Sequence, residues 1–297
     1  MKLFYTDIFA LPLPESHRFP MAKYTRLRER ILASKEFRDS QLVVPHAATD
    51  DELLLAHSAD YLHLVQTGTL PAKLVRGLGF PWSPQLVERS RRSVGATIEA
   101  SRTALADGVA VNLAGGTHHA YRDRCEGYCV FNDAVVAARV LQREGLINRA
   151  VIIDVDVHQG NGTAKLTEDD PSIFSFSIHG ERNYPRIKET SDLDIGLEKD
   201  TGDAEYLDAL ERGLTEAIRR AKADLAIYLA GADPYKEDRL GTLALSKTGL
   251  AERDRLVFAA CARVGLPVTV TLAGGYSPNI EDIVDIHFRT IMTPITG

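Results

Sequence analysis

Val151-Ile152-Ile153-Asp154-Val155-Asp156-Val157-His158-Gln159-Gly160-Asn161-Gly162 begins as an apolar, β-branched run and gathers its polar residues at one end. A strand covered on both faces of a parallel sheet has this composition. Side chains alternate faces along a strand, which predicts Asp154, Asp156 and His158 on one side and Val155 and Val157 packed on the other. Two carboxylates and an imidazole meeting at a strand tip repel and desolvate one another unless a cation or several donors compensate. A divalent metal does this best, taking carboxylate oxygen and neutral imidazole as ligands. An isolated Asp-x-His reads as a turn cap beside a packed histidine; three polar groups on one face of a buried strand do not.

Working outward, further short apolar runs predict strands at Val109–Leu113, Ile173–Ile178, Ala226–Leu229 and Val268–Leu272. Segments 85–106, 134–144, 204–222 and 249–263 carry apolar residues at three- and four-residue spacing and predict amphipathic helices. Ser83-Pro84 and Ser277-Pro278 each read as a helix cap followed by proline at the first helical position. The alternation predicts an α/β fold with a mostly parallel sheet, right-handed crossovers and helices on both faces. Without a repeat or a linker-like tract, residues 1–297 read as a single domain.

Ligands in such sheets sit beyond the carboxyl ends of the strands. Ala114-Gly115-Gly116-Thr117-His118-His119 follows one predicted strand and offers a tandem histidine pair suited to proton transfer near neutral pH. Leu229-Ala230-Gly231-Ala232-Asp233-Pro234 follows another; Asp233 is a turn aspartate or a third metal ligand. Ala273-Gly274-Gly275-Tyr276 follows the last, where the glycines cap a helix or admit Tyr276 to a site. Four polar clusters on four strand tips point to one shared centre.

Composition narrows the function. Of 297 residues, 35 are Lys or Arg and 41 are Asp or Glu, a formal net charge of −6 that disfavours a nucleic-acid partner. No apolar run reaches the roughly 20 residues of a membrane span, and no secretory signal is evident at the N-terminus. Cys125, Cys129 and Cys261 are too few and too uneven for a disulfide framework, so a reducing cytoplasm is the expected compartment.

These segments together resemble the histone deacetylase superfamily, which includes acetylpolyamine amidohydrolases and acetoin-utilisation proteins. Matching stretches run from Val44-Pro45-His46 and His57-Ser58-Ala59-Asp60-Tyr61-Leu62 to Gly275-Tyr276. Gly127-Tyr128-Cys129-Val130-Phe131-Asn132-Asp133-Ala134, Asp156-Val157-His158-Gln159-Gly160-Asn161-Gly162 and Glu237-Asp238-Arg239-Leu240-Gly241 look most like its class IV branch. The resemblance implies an arginase/deacetylase-like fold with an eight-stranded sheet and a metal-dependent amidohydrolase that removes an acyl group from acyl-lysine peptides or acylated small amines. It implies zinc held by Asp156, His158 and Asp233, with ferrous or cobalt ions as substitutes, and structural potassium held by Asp154, Asp156, His158 and Ser177. His118 and His119 match the tandem histidines, Asp154 and Asn161 their partners, and Tyr276 the residue that polarises the acyl carbonyl. Gly127, Tyr128, Tyr184, Leu240, Gly274 and Gly275 match the substrate tunnel.

Asn161 replaces the acid that orients the second histidine in many relatives, and Gly79-Phe80-Pro81-Trp82-Ser83-Pro84 lacks their backbone-gripping aspartate. Glu237 and Asp238 are acids at the rim segment that would suit a polyamine. Two other readings compete: a binuclear manganese ureohydrolase, for which Gly160 and Asn161 leave no bridging acid, and a non-catalytic acyl-ligand module, which would not need Tyr276.

Overall fold

The computed structural model describes residues 1–14 and 17–296. Its strands are β1 (Leu3–Phe4), β2 (Leu42–Val43), β3 (Val109–Asn112), β4 (Ala150–Asp154), β5 (Ile173–Gly180), β6 (Leu193–Leu197), β7 (Leu225–Leu229) and β8 (Val268–Thr271). They form one eight-stranded sheet in the order β2-β1-β3-β8-β7-β4-β5-β6, and every pairing is parallel. The helices are α1 (Lys23–Ser34), α2 (Asp50–Leu53), α3 (Ala59–Thr67), α4 (Ala72–Leu78), α5 (Pro84–Asp107), α6 (Asp133–Arg143), α7 (Asn161–Thr167), α8 (Asp203–Ala221), α9 (Lys247–Arg263) and α10 (Ile280–Thr296).

Each face of the sheet has its own core. Ala110 of β3, Ile152 of β4 and Ile227 of β7 pack with α5 and α6 residues such as Ile98, Val136 and Val140. The neighbours Val111, Ile153 and Tyr228 turn the other way onto Leu27, Leu210, Val257 and Ile286 of α1, α8, α9 and α10. Alternation of one apolar strand between two apolar layers is why these strands lack a polar face.

The four predicted helices, α5, α6, α8 and α9, lie within a few residues of their expected spans. Ser83 Oγ accepts from Leu86 N at 3.1 Å with Pro84 at the first position, as its sequence suggests. Ser277-Pro278 does not start a helix: α10 begins at Ile280, where Asn279 Oδ1 accepts from Glu281 N at 3.2 Å. The strand that bears the decisive motif also ends earlier than its apolar pattern suggests. β4 stops at Asp154, whose Oδ1 accepts from Asp156 N at 3.2 Å, and Asp156 Oδ1 then accepts from His158 N at 2.9 Å. These local turns replace the strand ladder. Asp156 and His158 therefore meet Asp154 through a loop and not by strand alternation.

Beneath the carboxyl edge lies a buried ion pair. Arg253 Nε donates to Asp254 Oδ1 at 2.9 Å, Tyr228 and Thr290 hydroxyls also donate to Asp254, and Arg253 Nη1 donates to the Gly231 carbonyl. Arg253→Met strands the Asp254 charge and frees the loop that leads to Asp233. A loss of about 3–5 kcal/mol in unfolding free energy is expected, measured by urea denaturation.

Candidate active site

The carboxyl ends of β3, β4, β7 and β8 adjoin in the sheet, so their loops converge. Asp156 and His158 follow β4, and Asp233 follows β7. One ligand atom from each lies within 4.8 Å of the others, and all three residues are buried. His158 Nδ1 is 2.8 Å from Asp156 Oδ1 and 3.2 Å from Asp233 Oδ2. Main-chain donors take the remaining carboxylate positions: Gly274 N reaches Asp156 Oδ2 at 2.7 Å, and Val157 N reaches Asp233 Oδ1 at 3.0 Å.

Asp233 Oδ2 is buried and, although His158 Nδ1 lies 3.2 Å away, it makes no hydrogen bond of proper geometry. Burial, reinforced by the Asp156 charge, lifts Asp233 to about 7. Burial opposes a charge on His158, but Asp156 and Asp233 outweigh it and raise the imidazole to about 10. An orphaned oxygen and a proton drawn onto the cluster are the signs of a missing positive charge. Two carboxylates and one imidazole suit a divalent ion and leave coordination positions for ligands. The glycine at 274 is obligatory here, since a Cβ would lie 1.8 Å from Asp233 Oδ2.

The tandem histidines sit beside this cluster with ring centroids 4.1 Å apart. His118 Nδ1 pairs with Asp154 Oδ2 at 2.7 Å, and His119 Nδ1 pairs with Asn161 Oδ1 at 2.6 Å. Their electrostatics diverge. Burial disfavours charge on both, yet Asp154 and Asp156 raise His118 to about 9. His119 falls well below the ordinary imidazole range through burial and the neighbouring His118 and His158. Tyr276 is held well above 10 by burial and by Asp233 and Asp156, so its hydroxyl keeps its proton.

These groups open into a cavity of about 350 Å³ lined also by Gly127, Tyr128, Tyr184, Leu240 and Gly274. Gly127 has φ +52°, and a Cβ there would lie 2.5 Å from His119 Cδ2, so the backbone lies against the imidazole. The Tyr128 ring stands 5.9 Å from Tyr276, and the Tyr184 ring meets His119 edge-on at 5.0 Å. Gly275 lies behind the tyrosine against Ile283, with φ +153°. Ser177 pairs in register with Asp154, and its hydroxyl bonds His179 Nδ1 at 2.9 Å.

Asp238 does not face outward as a rim acid. It accepts from the main-chain N–H of Tyr276 at 2.6 Å and of Leu240 at 2.8 Å. Glu126 is likewise engaged, by the Tyr184 hydroxyl. The three cysteines are buried free thiols. His57 is buried between the Tyr121 carbonyl and the Asn132 N–H, and burial drops it to about 4.

Sequence reasoning missed Lys23, Phe19 and Arg89. Lys23 Nζ is buried behind Tyr276, 3.4 Å from the carbonyls of Ala273 and Gly275 and 5.5 Å from the tyrosine ring. Phe19 and Arg89 line the cavity, and Arg89 stacks on Tyr24 at 4.8 Å. No local motif marks these positions; that Lys23 is a buried cation with no acid partner among the described residues is visible only in three dimensions.

A parallel α/β sheet carrying a buried Asp-His-Asp cluster beside paired histidines defines a hydrolase-like site of metal-binding type. The histone deacetylase domain model matches residues 17–291, and the chain belongs to that family. It is 42% identical over 283 residues to an uncharacterized protein of Picosynechococcus, covering 95% of this chain and 94% of that one. It is 30% identical over 287 residues to histone deacetylase 2 of Arabidopsis thaliana, covering 94% of this chain and 74% of the relative. A crystal structure of a histone deacetylase homologue complexed with SAHA matches with a TM-score of 0.83 at 25% identity, covering 97% of this chain and 84% of that one. No helix among the described residues is long and apolar enough to cross a membrane.

Zinc titrated into the metal-free protein at pH 7.5 is expected to bind one ion per chain and to release protons, because His158 and Asp233 share protons that the cation displaces. Calorimetry in buffers of different ionisation enthalpy measures the release, and Asp233→Ala abolishes both signals.

Proposed function

We propose that residues 1–297 form one catalytic domain that hydrolyses the amide of an acylated primary amine, with acyl-lysine as the substrate class. The observation that carries this reading is a histidine paired with a carboxylate, a histidine paired with an amide and a tyrosine lining the cavity that also reaches Asp156 and His158 of the three-ligand cluster. Asp156, His158 and Asp233 would hold zinc, for which ferrous or cobalt ions could substitute. When bound, the ion supplies Lewis acidity, polarising the acyl oxygen and acidifying water.

The chain's own groups do the rest. His119, unprotonated at Nε2, accepts a proton from the attacking water and returns it to the departing amine. His118 is paired with Asp154, which draws it towards the protonated form and would place positive charge beside the reacting carbonyl. The Tyr276 hydroxyl donates a hydrogen bond to the oxyanion as it forms. Gly127 offers its carbonyl to the substrate N–H, and the Tyr128 and Tyr184 rings flank an alkyl stem. Potassium would sit where Asp154 and Ser177 pair, with Asp156 and His158 adjoining.

Of the two rim acids that would suit a polyamine, Asp238 turns inward onto the main-chain N–H groups of Leu240, Gly241 and Tyr276, while Glu237 stays exposed, so acyl-lysine is the first reading and an acylated small amine the alternative. The histone deacetylase homologue complexed with SAHA has the same fold, which supports a family-type ligand site here. A reducing cytoplasmic setting fits three free thiols.

On an acetyl-lysine peptide with zinc supplied, Tyr276→Phe is expected to lower kcat about 10²–10³-fold with KM little changed, the loss typical of one oxyanion donor. Asp233→Ala is expected to show no turnover. Full activity in Asp233→Ala would overturn the assignment.

A further inference from the structure

The two site histidines have different kinds of partner. The Asp154 carboxylate offers His118 an acceptor whichever oxygen faces it, whereas the Asn161 amide has an accepting and a donating end. A half-turn of that amide would present Nδ2 to His119 and move the imidazole proton to Nε2. Something must hold Asn161 the right way round.

Asn161 Nδ2 donates to the Tyr121 hydroxyl oxygen at 3.0 Å, and that hydroxyl donates to Glu189 Oε1 at 3.1 Å. An ionised carboxylate only accepts, so Glu189 claims the single hydroxyl hydrogen. The Tyr121 oxygen is left to accept, Asn161 must turn its N–H towards it, and Oδ1 then faces His119 Nδ1. Each link is itself clamped. Tyr121 is buried, its N–H bonds the Arg124 carbonyl at 2.9 Å, and the Arg124 guanidinium lies 3.4 Å from its ring centroid. The Gln159 side chain grips the Glu189 main chain from both sides, accepting from its N–H at 2.9 Å and donating to its carbonyl at 2.7 Å.

We propose that Tyr121 and Glu189 are positioning residues that fix the tautomer of His119, with the proton on Nδ1 and the lone pair on Nε2, by orienting Asn161. The kinetic consequence rests on the reading of His119 as the proton acceptor; the structural consequence does not.

The test uses the zinc-loaded full-length protein and two readouts. Two-bond ¹⁵N–¹H correlation spectra should show His119 protonated at Nδ1 in the wild type, with the Nε2-protonated form appearing in Tyr121→Phe and, to a smaller extent, in Glu189→Gln. Turnover of an acetyl-lysine peptide should fall about 10-fold in Tyr121→Phe with KM unchanged, a fraction of the 10²–10⁴-fold a placed acid–base group supplies. In an Asn161→Asp background the same substitution should change kcat by less than about 2-fold, because a carboxylate accepts in either orientation and the coupling is lost. An unchanged His119 tautomer in Tyr121→Phe, or equal kcat losses in both backgrounds, overturns the relay. If the wild type cleaves no acylated amine, the hydrolase reading falls while the spectra still decide the relay.

Discussion

Two carboxylates held out of water, with one imidazole between them, set the terms for the rest of this molecule. Asp156 and Asp233 are 1% and 0% exposed, and neither has a lysine or arginine partner within ion-pair distance among the described residues. Burying such a pair is costly, and the fold offsets part of the cost with main-chain N–H groups from Val157, His158 and Gly274. Those donors come from loops after β4 and β8. A parallel sheet delivers them to one edge because every strand points the same way, which an antiparallel sheet of the same residues would not do.

The same constraint explains which parts of the architecture could be read from the chain. β3, β4, β7 and β8 lie under both helical layers and are written as short buried runs rich in β-branched and apolar residues. β1 and β2 pair over two residues each, too short for any periodic pattern; β1 is a strand because β3 supplies a neighbour, and β2 because β1 does. β6 is an edge strand of five residues with Asp194 and Gly196 inside it, and only Leu197 is fully buried, which leaves its alternation short and weak. The early end of β4 was hidden for a different reason. Asp154 and Asp156 each turn a side-chain oxygen back onto the main chain, a competition that apolar periodicity does not register.

Within the site, legibility follows distance along the chain. Each predicted metal-ligating or proton-transferring residue stands within a few positions of a strand end, where a motif can form. Tyr121 stands just past the histidine pair yet carries no sign of its role until Glu189 is brought to it from 68 positions away. Lys23 is one of several basic residues in α1 and looks solvated; its burial follows from the Tyr276 loop folding over it. Asp238 misleads in the opposite sense, since acidity suggests a ligand for cations while the main chain around it consumes its oxygens.

The tandem histidines show how one local sequence can be given two charge states. Both rings are buried to the same degree, so desolvation alone would make both neutral. His118 gains a carboxylate partner and the nearby Asp156, which together overcome that cost. His119 gains only an amide, and the positive neighbour at 118 then deepens its preference for the neutral form. An amide at 161 is therefore not simply a weaker support for the second histidine than a carboxylate would be. It keeps the second ring uncharged while the first is charged, separating a proton acceptor from a fixed cation as the proposed hydrolysis requires.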